Sequence, residues 1–123
     1  MLFLIIFGII DFGIATYTVH LVSDVARMGS RYAMVRGSKC TYSGCQADSA
    51  KVQAYVKSVF APLADASLVT VTTTWASTPQ CPTAPFQDPG CAVNVKVAYP
   101  YTFLILPIAQ LNINSTSQVI IAQ

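Results

Sequence analysis

The sequence predicts an α+β fold: a long N-terminal hydrophobic helix, then a small domain with a second helix and a short antiparallel β-sheet. Three observations predict it. Residues 1–22, MLFLIIFGIIDFGIATYTVHLV, carry only Asp11 and His20 as ionisable groups apart from Tyr17. An apolar period of three to four residues continues past them and returns at 47–60. From residue 68 the period drops to two.

The first helix is expected over residues 2–36, roughly 50 Å at 1.5 Å per residue. Its first 22 residues match the thickness of a bilayer core. A secretory signal peptide is the competing reading, but it needs a basic start and a small-residue cleavage site, and neither is present. Leu21, Val25, Met28, Tyr32 and Val35 extend one apolar stripe, with Ser23, Asp24, Arg27, Ser30 and Arg31 off it. Gly37 offers the stop. Within the apolar part, Asp11 has no basic residue in 1–19 to pair with. Either the helix tolerates the acid near the interface, or Asp11 meets a cation on another chain. His20 reads as an interfacial histidine.

Residues 38–46 form a polar loop. A second helix follows at 47–60, with Asp48 or Ser49 as N-cap, an apolar face of Val52, Tyr55, Val56, Val59 and Phe60, and Lys51 and Lys57 pointing away. Pro62 ends it. A strand at 68–75 puts Val69, Val71, Thr73 and Trp75 on one face. The proline-rich run 76–90 is a loop. A strand at 91–99 alternates Val93, Val95, Val97 and Tyr99 against polar or small residues. Pro100 and Pro107 bracket YTFLIL, expected as a bend or short turn, and a last strand at 111–122 faces Leu111, Ile113, Val119 and Ile121 one way. The domains are thus 1–37, divided into a transmembrane part (1–22) and an amphipathic part (23–37), and a head at 38–123.

Composition narrows the function. Hydrophobic residues make up 54% of the 123 residues and charged residues 10%, against about 25% charged in an ordinary soluble domain. Mean hydropathy is +0.54. A disordered chain is excluded. A net charge of +2 is too weak for a nucleic-acid partner. One histidine and five scattered aspartates leave no nucleophile–base pair, phosphate loop or nucleotide fingerprint, so no enzyme, cofactor or metal is expected. The tyrosines fall on apolar faces or in loops and read as packing residues.

Four cysteines at spacings C-x4-C (Cys40, Cys45) and C-x9-C (Cys81, Cys91) suggest disulfides within each local pair and an oxidising compartment. Four cysteines allow three connectivities, and a four-thiolate zinc site is the rival, poorly served by C-x9-C. Arg27, Arg31, Arg36 and Lys39 follow the apolar segment, which by itself would put the head inside the cell; a basic segment before residue 1 would reconcile this with the disulfides. Asn114-Ser115-Thr116 is a possible glycosylation triplet, with an unmodified strand Asn114 the plainer reading.

The segment FGIIDFGIATYTVHLVSDVARMGSRYAMVRG closely resembles the N-terminal helix of TadE-like proteins of tight-adherence pilus systems, and VKVAYPYTFLILPI and NSTSQVIIAQ resemble that family's C-terminal strand, bend and final strand. Asp11 matches the acid of the family's GII-[DE]-FG segment. The family is related to type IV pilins. The resemblance implies a pilin-like fold, insertion into the inner membrane by the first helix, and handling by pilus assembly machinery. Leu2, Phe3, Ile6, Phe7, Ile10, Asp11, Ile14 and Tyr17 are the candidate inter-subunit residues, because only lipid or other copies of this helix can cover them. The sequence lacks the basic leader, cleavage glycine and early glutamate of processed pilins, so residue 1 follows a removed segment or processing differs. The expected function is a filament subunit; the alternative is a minor pilin that primes or anchors a pilus made of another subunit.

Overall fold

The structure, a computed structural model, describes residues 1–105 and 110–122. Helix α1 (Leu2–Met34) is followed by α2 (Ser49–Phe60) and a short 3-10 turn (Ala66–Leu68). Strands β1 (Thr70–Ala76), β2 (Ala92–Thr102) and β3 (Gln110–Ile120) form an antiparallel sheet in the order β1-β2-β3. This is the α+β arrangement expected.

Alternation places the strands. On β1, Val69, Val71, Thr73 and Trp75 face the helices, while Thr70, Thr72 and Thr74 face solvent. Val93, Val95 and Val97 of β2 are fully buried. On β3 the same face carries Ile113, Ser115, Ser117 and Val119 and ends at buried Ile121. One expectation changes. The strand does not stop at Pro100 but runs through it, with Pro100 opposite Asn112 and Tyr101 opposite Leu111. Pairing with β1 ends at Ala98, so beyond that point β2 has an open edge on which a missing N–H costs nothing. The expected bend therefore begins after Thr102; Pro107, its other bracket, lies outside the described residues, as do Leu106, Ile108, Ala109 and Gln123.

Of the stripe expected on α1, Leu21 and Val25 are buried and Tyr32 is half-buried, but the buried face then turns to smaller residues. Val22, Val25, Ala26, Gly29, Ser30 and Ala33 are buried, whereas Met28 and Val35 are exposed. Close approach decides it. A Cβ on Gly29 would lie 2.8 Å from a Val56 methyl and 3.2 Å from a Val95 methyl, so α1, α2 and β2 meet where a side chain is absent. Beside it, the Ser30 hydroxyl donates to the Arg27 carbonyl and bonds Ser117 Oγ on β3, each at 2.9 Å. Spent as a donor, Ser30 then accepts from Ser117.

Helix α2 buries Val52, Val56 and Phe60. Asp48 caps it by accepting from the Lys51 N–H at 2.8 Å. Lys51 points away from the apolar face, as expected. Its ammonium donates to the Gly44 and Gln46 carbonyls at 2.7 and 2.8 Å, tying down the loop ahead of the helix. Cys40 and Cys45 stand at disulfide distance with Cα atoms 6.0 Å apart, and Cys81 and Cys91 likewise at 5.0 Å. Asp65 caps the 3-10 turn, and the Ser67 hydroxyl and N–H hold its carboxyl below the ordinary carboxylate range.

The far end of the molecule is stitched by main-chain bonds. Ile121 N–H donates to the Cys91 carbonyl, Gly90 N–H to that of Ile121, and Ala122 N–H to that of Met34, at 2.8 to 3.0 Å. Ser38 and Ala47 N–H groups reach the Gln87 and Arg36 carbonyls. The head thus closes on α1 from Asp11 onward, and the turns before it project.

Candidate functional site

The projecting half of α1 is a cylinder of apolar side chains. Every residue from Met1 to Ile10 is exposed. Among the expected assembly residues, Leu2, Phe3, Ile6, Phe7, Ile10, Ile14 and Tyr17 are all exposed, Phe3 at 73% and Ile6, the least, at 44%. Such a surface is stable in water only when something covers it. The helix is long and apolar enough to cross a membrane.

Asp11 departs from that set. It is buried, and its partners belong to its own chain. The Tyr101 hydroxyl, at the end of β2, lies 3.3 Å from Oδ1 and 3.4 Å from the Asp11 main-chain oxygen. The Leu104 and Ile105 N–H groups donate to Oδ2 at 2.9 and 3.1 Å. The physical reason is reciprocal need. Past Thr102 the chain leaves the β-ladder, so the N–H groups of the bend require acceptors. A carboxylate on an apolar helix requires donors. Two backbone N–H groups converging on one oxygen, with a tyrosine on the other, satisfy both without a cation. The sequence left Asp11 between a tolerated interfacial place and a cation on another chain; the structure gives it main-chain and phenolic donors at a separation of some ninety residues. Nothing in the local sequence marks Tyr101 as the partner, because the contact depends on where the β2–β3 hairpin ends along α1.

Small residues bring the hairpin that close. Ala15 and Thr18, one and two turns beyond Asp11, are buried, and the Thr18 hydroxyl turns back to the Ile14 carbonyl at 2.8 Å. Tyr101 packs edge-on against Phe103 with ring centroids 5.3 Å apart. Leu4, Gly8 and Phe12 face Phe103 and Ile105 across an apolar cleft.

The remaining candidates are dispersed. His20 and Asp24 are exposed on α1. Asp88 accepts from the Ser38 hydroxyl. Tyr32 stacks on Tyr55 with centroids 4.5 Å apart, and the Arg36 guanidinium lies 4.3 Å from the centre of the Tyr32 ring. Asn114 is exposed on β3 opposite Ala98. Among the described residues no group of three His, Cys, Asp or Glu side chains gathers to hold a metal. What the arrangement offers is a surface for lipid or for other helices.

Comparison with known proteins agrees on the same segment. The family described as TadE-like protein matches residues 1–31, from the free end of α1 through the Gly29–Ser30 contact. No curated protein and no solved structure matches the chain.

Proposed function

We propose, from the match of residues 1–31 to the TadE-like family, that the chain is a pilin-like component of a tight-adherence pilus system and a structural subunit of its filament. Before assembly its first helix anchors it in the inner membrane. After assembly the same helix packs against copies of itself in the core of an extracellular fibre. The observation that carries this reading is the division of α1 into a first segment, Leu2–Ile10, exposed all round, and a remainder from Asp11 that buries one face against the head. An ordinary core helix buries one stripe along its whole length; this one leaves Leu2–Ile10 free on every side.

Covering the thirteen large apolar side chains exposed between Met1 and Val19 at roughly 1.5–3 kcal/mol each gives tens of kcal/mol before the entropy of association is subtracted. The two disulfide-distance pairs suit an oxidising compartment outside the inner membrane. Electron microscopy of filaments sheared from the producing cell, with subunits identified by mass, tests the proposal. This chain is expected as a dominant constituent. A chain required for filaments yet scarce in them would overturn the subunit reading in favour of a priming component.

A further inference from the structure

We infer that the tip of the β2–β3 hairpin, Phe103–Ile105, is a second membrane-entering element that goes into the acyl layer alongside α1. The inference rests on the reading of α1 as a membrane anchor. Its geometric basis is that the tip is pinned to the middle of the apolar stretch rather than to its end. Exposed large apolar residues run along α1 from Leu2 to Val19, about 27 Å of helix, close to the roughly 30 Å of a hydrocarbon core. Asp11 stands about 14 Å along that stretch, and it holds the Leu104 and Ile105 N–H groups at 2.9 and 3.1 Å. A bilayer that covers Leu2–Val19 therefore reaches Leu104.

The chemistry of the tip agrees with its depth. Leu104 is 81% exposed. From Val97 to the last residue the sequence contains no Asp, Glu, Lys, Arg or His. Away from the tip, the first charge on β2 is Lys96, about 17 Å up the strand from Tyr101. On α1 the first ionisable side chain is His20, about 14 Å beyond Asp11, and the first carboxylate is Asp24, about 20 Å beyond it. The two elements leave the uncharged zone at similar heights. Backbone N–H groups that enter lipid need partners inside the protein, and the Asp11 carboxylate supplies them for Leu104 and Ile105. The acid is in turn supplied with donors at a depth where water offers none. The occupant of this surface is the acyl chain of the bilayer.

The test uses the full chain in vesicles of phosphatidylethanolamine and phosphatidylglycerol whose acyl chains are brominated at mid-chain. Trp75→Phe removes the native tryptophan, and Leu104→Trp or Phe12→Trp then places a fluorophore at the tip or on α1 beside Asp11. Both are expected to lose most of their emission relative to unbrominated vesicles. Quenching of the Phe12→Trp chain without quenching of the Leu104→Trp chain overturns the inference and leaves the anchor standing. No quenching in either overturns both, and quenching at position 104 alone also overturns it, because the tip then enters without the helix. Should Trp75→Phe impair folding, the same two substitutions in the native background, read as the difference from the native chain, give the same decision.

Discussion

Gly29 shows how a residue's worth depends on what surrounds it. In an exposed helix interior, replacing glycine by alanine is favourable by about 1 kcal/mol. Here the new methyl would lie 2.8 Å from a Val56 methyl, and Val56 is fully buried with nowhere to move. Overpacking costs about 1–3 kcal/mol, so Gly29→Ala is expected to lower stability by up to roughly 2 kcal/mol net, seen as a lower melting midpoint of the head. A midpoint at or above that of the native chain would show that α1 and α2 can separate without loss. Thr73 gives the opposite sign. Its hydroxyl is buried with no hydrogen-bond partner among the described residues. Thr73→Val keeps the shape and removes the orphan group, and should stabilise by about 1 kcal/mol. Residue-level facing was legible in the strands, where strict alternation assigns every side chain. On α1 it was not. The stripe drawn through Met28 and Val35 follows size, but the buried stripe follows smallness, because Gly29, Ser30 and Ala33 let neighbouring backbones approach.

Among the elements, the helices and strands were legible because their periods are long and unbroken, and both cysteine pairs were legible because their spacing is local. The docking of the β2–β3 tip on α1 was not, since its partners are some ninety residues apart. That docking has a measurable strength. Asp11→Ala leaves the Leu104 and Ile105 N–H groups without acceptors, and hydrogen bonds to a charged group contribute about 1.5–3 kcal/mol each. Amide hydrogen exchange at these two positions is expected to accelerate at least about tenfold, with protection in β1 unchanged. Unaltered exchange at Leu104 and Ile105 would show that packing of Phe103, not the carboxylate, holds the tip. The proline-rich loop between β1 and β2 depends on a different tie. Replacing Cys81 and Cys91 together by serine opens a loop whose closure is worth roughly 3 kcal/mol. Chemical denaturation should report a loss of that order, and peptide mapping without reduction should recover residues 81 and 91 in one linked peptide.

At the scale of the whole molecule, burial against the head begins on α1 at Asp11, eleven residues before the apolar run ends. An apolar run ending at residue 22 invites removal of residues 1–22 to obtain a soluble head. Leu21 and Val22, however, are core residues, Val22 completely so, and Asp11, Ala15 and Thr18 are buried against the hairpin. The head needs α1 from Asp11 onward. Residues 1–10 are all exposed, with Leu4 and Gly8 lining the cleft beside Phe103 and Ile105, so their removal should leave the melting midpoint of the head nearly unchanged while, on the proposed function, abolishing both stable membrane association and filament formation. Removal of residues 1–22 takes away two core side chains whose truncation alone costs about 2–5 kcal/mol for a leucine and somewhat less for a valine. It also releases the Tyr101–Ile105 tip by deleting Asp11. Total stabilities of small domains are about 5–15 kcal/mol, so the longer deletion should yield a largely unfolded chain. Circular dichroism and flotation on a density gradient separate the two shortened chains. A well-folded product of the longer deletion would show that the head's core closes without α1, and filaments built by the product of the shorter one would show that the exposed cylinder of Leu2–Ile10 is not what joins one subunit to the next.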